Sequence, residues 1–374
     1  MNSDIRLLST GQTRFGEFWD KSIRDLMEEA VDAAMANSPC TALDIDLIIV
    51  ANMLAEMTNG QAHLSAIASS LLPHHPPALR IESACGSGAF ALHTACAMLE
   101  SGRARNVLVI GVEKMTDVST DVVSSALMGA ADSEEERPAG LTFPGIFGLI
   151  TRRYMHEYGL TREDLSLVSA VHHRNACQNP FAQFRSEISP ETVTKSAMVS
   201  DPLRLLDCSP ISDGAAAVIL STQHMSPIRM AASQIATDAL SLVHRTTLTS
   251  FSATKDAAER ALAEAEIKLP QIRALESHDC FSIAALMNLE DLGFCDPGEG
   301  ISIYHRLFDR SPSSLSVNMS GGLKGCGHPV AATGIKQLID ISKRLQATGD
   351  RYGMTQNFGG ACATCGIHIL EHTA

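Results

Sequence analysis

The stretch "IESACGSGAFALHTACAMLESGRARNVLVIGVEKMTD", residues 81–117, decides how this chain is read. Residues 78–81 are short and apolar. After Gly88 apolar residues recur at three- and four-residue steps, the period of an amphipathic helix. Residues 106–117 then form a buried strand. Cys85 therefore stands where a strand turns into a helix. Free N–H groups and the positive end of the helix dipole collect at such a corner, and both favour a thiolate. Taken alone, a small buried hydrophobe at a tight turn accounts for Cys85 as well.

Working outward, "FWDKSIRDLMEEAVDAAMANS" (18–38) has a helical pattern and "LDIDLIIVANM" (43–53) a buried strand. This alternation points to an α/β layered fold. Residues 118 to about 205 break the rhythm with Gly, Pro and acidic runs, and read as an inserted loop domain. The second half repeats the plan of the first. A helix at 246–267 is followed by strand, loop and helix around "ESHDCFS" (276–282). Then come a strand, a glycine-rich loop and a helix around "GGLKGCGHPVAATG" (321–334), and a closing strand after "NFGG" (357–360). Residues 82–113 and 316–370 share one plan, so two similar halves pack together, divided as 1–222 and 223–374.

A chain of 374 residues is too long for one small core. The net charge of −13 excludes a general nucleic-acid surface. No uncharged apolar run is long enough to span a membrane. The N-terminus lacks a signal-peptide core and the C-terminus a retention tail, so a cytoplasmic location is expected. The ten cysteines are read as free and mostly buried thiols rather than a disulfide framework. Cys362 and Cys365 form a CxxC without a second one to complete a zinc site, inside a segment that reads as a strand, so no metal is expected.

Two more corners carry chemistry. If 276–282 is extended, His278 and Cys280 share a face and make an acid/base pair; a satisfied core histidine beside an inert thiol is the bland alternative. In 321–334 the glycines permit tight turns and Pro329 suits the first turn of a helix. That places His328 just before a helix N-terminus, where a neutral ring is favoured. Gly359 and Gly360 add backbone donors. A nucleophilic Cys, a His to take its proton, a second Cys and backbone N–H groups are the parts of acyl transfer with carbanion chemistry.

With these residues in place the sequence resembles a thiolase. The matching stretches are residues 83–117, "CSPISDGAAAVIL", "ESHDCF…LEDLGF", "NMSGGLKGCGHP" and "NFGG". The "HDCF" form is similar to the sterol-carrier-protein-2-type thiolases and the archaeal-type acetyl-CoA acetyltransferases. The resemblance implies a thiolase-like α/β fold, with two βαβαβαββ halves in an α-β-α-β-α stack and a short loop domain. It also implies Claisen condensation of acyl-CoA with acetyl-CoA, or the reverse thiolysis of 3-ketoacyl-CoA. In that reading Cys85 carries the acyl group and His328 takes its proton. Cys280 is the acid/base thiol, since Asn357 occupies the usual second-cysteine position. His278 replaces an oxyanion-hole Asn, and Gly359 supplies an oxyanion N–H. The departures from the family pattern, Met319, Cys326 and Ala331, all lie in or beside the His328 loop.

Coenzyme A is then a substrate, with no permanently bound cofactor. The densest basic stretch, Arg152, Arg153, His172, His173, Arg174 and Arg185, is expected to steer its phosphates, and the acyl group is expected against Met128 and Phe147. The family implies a homodimer or tetramer and points to a small zinc-ribbon/OB-fold partner. The alternatives are carbon acylation of a non-CoA acceptor and a thiolase-like subunit of a multi-enzyme complex.

Overall fold

Runs of Val, Ile, Leu and Ala without alternation make strands buried on both faces, and such runs dominate both halves of this chain. The computed structural model describes residues 4–36 and 38–373. The strands are β1 (Arg6–Gln12), β2 (Leu47–Ala51), β3 (Ala78–Ile81), β4 (Asn106–Glu113), β5 (Met198–Ser200), β6 (Leu203–Arg204), β7 (Gly214–Ser221), β8 (Ile228–Thr237), β9 (Ile272–Ser277), β10 (Ser316–Val317), β11 (Tyr352–Gly359) and β12 (Thr364–His372). β5 and β6 pair only with each other; the rest run in the order β10-β9-β11-β12-β8-β1-β7-β4-β2-β3.

That order is one five-strand pattern used twice. Reading out from the seam, β1-β7-β4-β2-β3 pair antiparallel, antiparallel, parallel, parallel. β8-β12-β11-β9-β10 do the same. The two fives meet through the single pair Arg6↔Arg229. The helices Ser87–Glu100 and Thr333–Thr348 pack on strands of both fives and form the middle layer. Ile23–Ala36 covers the first sheet and Ser252–Glu264 the second. The fold is therefore the layered thiolase-like arrangement expected.

Close approach of the middle layer depends on missing side chains. A Cβ on Gly88 would lie 2.7 Å from the Ala331 carbonyl oxygen, and one on Gly111 would lie 2.5 Å from the same atom. The His328 loop can thus press onto β4 and the Cys85 helix.

Several expected bounds shift. The first helix begins at Ile23 rather than residue 18, and the strand expected over 43–53, β2, spans only Leu47–Ala51. The helix expected over 246–267 covers Ser252–Glu264. The inserted region is mainly helical: Thr120–Leu127, Phe143–Tyr158, Arg162–Ala176 and Pro190–Lys195. Thr142, Thr161 and Ser189 cap the last three by accepting backbone N–H groups. No helix among the described residues is long and apolar enough to cross a membrane.

Candidate active site

Cys85 sits in the turn between β3 and the middle-layer helix that starts at Ser87. Ala84 takes a left-handed φ of 49°, a strained conformation for a residue with a Cβ. Ser87 Oγ locks the turn, accepting the Ser83 N–H at 2.9 Å and donating to the Ala84 carbonyl at 2.6 Å. The Gly360 N–H donates to the thiol.

The helix corner does not make Cys85 a standing thiolate. Cys85 keeps some accessible surface, but protein surrounds its thiol, and that burial pushes it up to about 12, with the Glu113 carboxylate adding to the rise. Desolvation outweighs the helix end here. The nucleophile rests as a thiol and must give up its proton when it attacks.

Two histidines face it. Cys85 Sγ and one ring nitrogen each from His278 and His328 lie within 4.8 Å of one another. The two rings meet edge to face, with centroids 5.0 Å apart. His328 Nδ1 lies 2.7 Å from Thr333 Oγ1, whose own proton goes to the Pro329 carbonyl at 3.1 Å. Nδ1 is therefore the protonated nitrogen and Nε2 carries a lone pair. His278 Nδ1 receives the Asn357 Nδ2–H at 2.9 Å, so its proton sits on Nε2. Hydrogen bonding assigns these opposite tautomers. Neither Nε2 has a partner among the described residues. Burial pushes His328 down to about 4 and holds His278 well below its ordinary value, so both rings are neutral at pH 7. Cys85, His278 and His328 also have the ligand types of a zinc site, but a His278 that presents N–H rather than a lone pair does not fit one.

Strand β9 stops at Ser277, so His278, Asp279 and Cys280 are not strand residues as expected. Their side chains still diverge. Asp279 turns back to accept from Leu323 N–H at 2.7 Å, Asn318 Nδ2 at 3.1 Å and His172 Nδ1 at 2.6 Å. This fixes its neighbours forward: Cys85 is among the groups that act on the Cys280 thiol, and the His278 ring lies tilted against Phe358 with centroids 4.2 Å apart. Burial pushes the Cys280 thiol well above its ordinary value. Phe147 stacks on Phe281 at 4.4 Å and lies 6.3 Å from Phe358, making an apolar wall beside His278. Met128 is buried in the same cluster.

Gly359 presses against the Cys85 turn, since a Cβ there would fall 2.3 Å from the Ser83 carbonyl. The backbone donor to the thiol belongs to its neighbour Gly360. Glu113, at the end of β4, accepts Leu54 N–H at 2.8 Å, Met53 N–H at 3.2 Å and Ala331 N–H at 3.2 Å, tying the His328 loop to the first half. Sequence reasoning gave no part to Glu113, Thr333 or Asp279, counted Gly360 only as a backbone donor near the site, and noted Asn357 only as a missing cysteine. Each acts through a partner distant in sequence or through backbone, and "HDC" itself was the one local hint, for Asp279.

The basic residues do not converge. His172 is wholly buried and both ring nitrogens are engaged, by Asp279 and by Tyr304 Oη at 2.9 Å; it cannot touch a nucleotide. His173 is buried too. Arg174 donates to the Phe308 and Leu307 carbonyls at 2.9 and 2.6 Å. Arg152 pairs with Asp201 and Arg153 with Glu157, both on the surface, as is Arg185.

Known families and proteins match the chain along its length. The family described as "Thiolase, N-terminal domain" matches residues 5–224, and "Thiolase C-terminal domain-like" matches residues 235–372. The chain belongs to the thiolase family and is an acyltransferase of that class. It is 41% identical to the acetyl-CoA acetyltransferase of Methanothermobacter thermautotrophicus, across 98% of this chain and 99% of that one. It is 30% identical to the benzoylsuccinyl-CoA thiolase subunit BbsB of Thauera aromatica, across 96% and 95%. It is 29% identical to human sterol carrier protein 2, across 95% of this chain and 70% of that one. Two solved structures share the fold. The Ltp2-ChsH2(DUF35) aldolase has a TM-score of 0.81 at 22% identity, covering 99% and 98%. The acetyl-CoA acetyltransferase from Syntrophomonas wolfei has a TM-score of 0.76 at 18% identity, covering all of both chains.

Proposed function

We propose that the protein is an acetyl-CoA C-acyltransferase that joins an acyl group to acetyl-CoA, or cleaves 3-ketoacyl-CoA in reverse, through a thioester on Cys85. The observation that carries this is the pair of oppositely protonated imidazoles facing one thiol. His328 Nε2 takes the Cys85 proton as sulfur attacks the acyl carbonyl. The Nε2–H so formed donates to the developing oxyanion and then gives its proton to the CoA sulfur as CoA leaves. His278 Nε2–H is a donor from the start, placed to hold the enolate oxygen of acetyl-CoA once its α-carbon loses a proton. Cys280, as a thiolate that has lost its own proton to solvent, takes that proton and returns it to the Cys85 sulfur when that sulfur leaves. The enolate carbon then attacks the Cys85 thioester, and the backbone N–H groups of Cys85, Gly359 and Gly360 receive the developing oxyanion. The Phe147–Phe281–Phe358 wall is the proposed acyl contact.

Arg152, Arg153 and Arg185 are the proposed phosphate contacts of CoA. Assignment of the halves to 1–222 and 223–374, a cytoplasmic location and a homo-oligomer are proposed from the family alone. A small zinc-ribbon/OB-fold partner is proposed from the family too, and a solved fold neighbour described as "Ltp2-ChsH2(DUF35) aldolase" is consistent with it.

The test is mass spectrometry of the chain after acetyl-CoA, then acetoacetyl-CoA with free CoA, beside Cys85→Ala. The expected result is an acetyl adduct on the Cys85 peptide, removed by CoA and formed again from acetoacetyl-CoA. An adduct that acetoacetyl-CoA cannot form moves the reading to a non-CoA acceptor. No adduct on folded protein removes Cys85 as nucleophile.

A further inference from the structure

Behind Cys280 lies buried charge that these steps leave unused. Lys324, four residues before His328 in the short helix Gly322–Cys326, is only 1% exposed. Its ammonium donates to a neutral group, the Asp207 carbonyl oxygen. The two carboxylates that act on it are held by other residues: Asp207 by Arg162 at 2.9 Å, and Asp279 by His172 at 2.6 Å. Burying an ammonium is unfavourable unless something answers its charge.

The Asp207 loop that receives the ammonium also touches Cys280. Ser209 N–H donates to the Cys280 carbonyl at 2.8 Å, and Cys208 bridges to Phe281. One loop, residues 207–209, therefore holds both the Lys324 ammonium and the Cys280 backbone. Of the charges acting on the Cys280 thiol, Lys324 favours the thiolate, while Cys85 and Asp279 oppose it. The other titratable neighbours of Lys324 add nothing at pH 7. Burial raises Cys208 to about 11 and keeps it a thiol, and burial, helped by Lys324, holds His173 near 4 and neutral.

We propose that Lys324 is a positioning residue for the condensation, whose fixed positive charge makes the Cys280 thiolate available as the base. This deepens the proposed function and rests on Cys280 as its acid/base group. In the step concerned the α-C–H bond of acetyl-CoA breaks, its electron pair passes into the enolate, and the proton goes to Cys280 Sγ. Lys324 neither gives nor takes a proton in this step. Without Lys324 such a thiolate keeps only the Phe281 N–H against desolvation and the Asp279 charge.

The experiment uses the full chain and reads two half-reactions across neutral to alkaline pH: acetylation of Cys85 by acetyl-CoA, and exchange of the acetyl-CoA α-protons into deuterated water. Lys324→Met is expected to acetylate Cys85 at the wild-type rate. Its exchange is expected to fall about 100-fold, the size of a lost general base, with the remaining exchange rising only at higher pH. An exchange profile unchanged from wild type overturns the proposal and leaves Lys324 a structural residue. Lys324→Gln is read by the same criteria if the Met variant does not fold. Cys280→Ala separates the two ideas. If it exchanges normally, the acid/base reading of Cys280 fails. If it loses exchange while both Lys324 variants keep it, that reading stands and the Lys324 proposal alone fails.

Discussion

The two site histidines differ only in what touches Nδ1, a hydroxyl that accepts in one case and an amide that donates in the other. Thr333 makes His328 a base and Asn357 makes His278 a donor. Removing each partner should therefore damage a different half-reaction. Thr333→Val leaves the His328 Nδ1–H without an acceptor, and Cys85 acetylation should slow about 10-fold, the worth of one net hydrogen bond. Asn357→Leu frees His278 to place its proton on either nitrogen. Condensation should fall on the order of 100-fold, as when an oxyanion donor is lost, with acetylation near wild type. Rapid-quench mass spectrometry for the adduct and steady-state acetoacetyl-CoA formation separate the two. Equal losses in both half-reactions from either variant would show that the rings do not have divided roles.

At the scale of elements, the corners carry the site, and their fit depends on glycine. Gly359→Ala places a methyl 2.3 Å from the Ser83 carbonyl and 2.6 Å from Thr364 Oγ1, both on or against the Cys85 turn. The contact atoms are backbone and a locked hydroxyl, so β11 and the Cys85 turn must part. Adduct formation should drop at least 10-fold while circular dichroism stays native. An Ala variant that acetylates normally would mean that this contact does not hold the nucleophile. The corners were legible in the sequence because strand-to-helix transitions and glycine clusters are local signals. So were Cys85, His278, Cys280 and His328, as residue types at those corners. The state of Cys85 was not: a helix N-terminus is visible in sequence, but the burial that outweighs it is not. The same holds for His172, whose charge read as surface basicity until Asp279, 107 residues away, was found against it. Helix ends such as Ile23 were missed because the polar residues before them continue the helical pattern without being wound into it.

At the scale of the molecule, duplication explains why the site lies at a seam. Cys85 follows β3 and precedes one central helix; His328 follows β10 and precedes the other. Glu113 ends β4 as Gly359 ends β11, so equivalent positions carry an anchor in one half and a backbone contact in the other. The seam is crowded with buried titratable groups, and this gives the fold a pH dependence. His173 and His328 are pushed down to about 4 and His368 to about 3, burial being the main cause in each. Their unfolded forms bind protons below pH 6.5 while the folded forms do not, so each makes folding less favourable as pH falls, by about 2 kcal/mol between pH 7 and 5. Glu113 and Glu276 act oppositely. Burial raises each to about 7, so the folded state takes up protons first, and each adds about 2 kcal/mol over the same interval. The buried acids therefore offset part of the stability that the buried histidines lose between pH 7 and 5. Glu113→Gln removes one compensating acid, so urea unfolding should show a loss about 2 kcal/mol steeper over that interval, whatever the variant's stability at pH 7. A slope equal to wild type would mean that Glu113 is ionised in the folded protein throughout, and that the carboxylate holding the His328 loop keeps its charge beside Cys85 at every working pH.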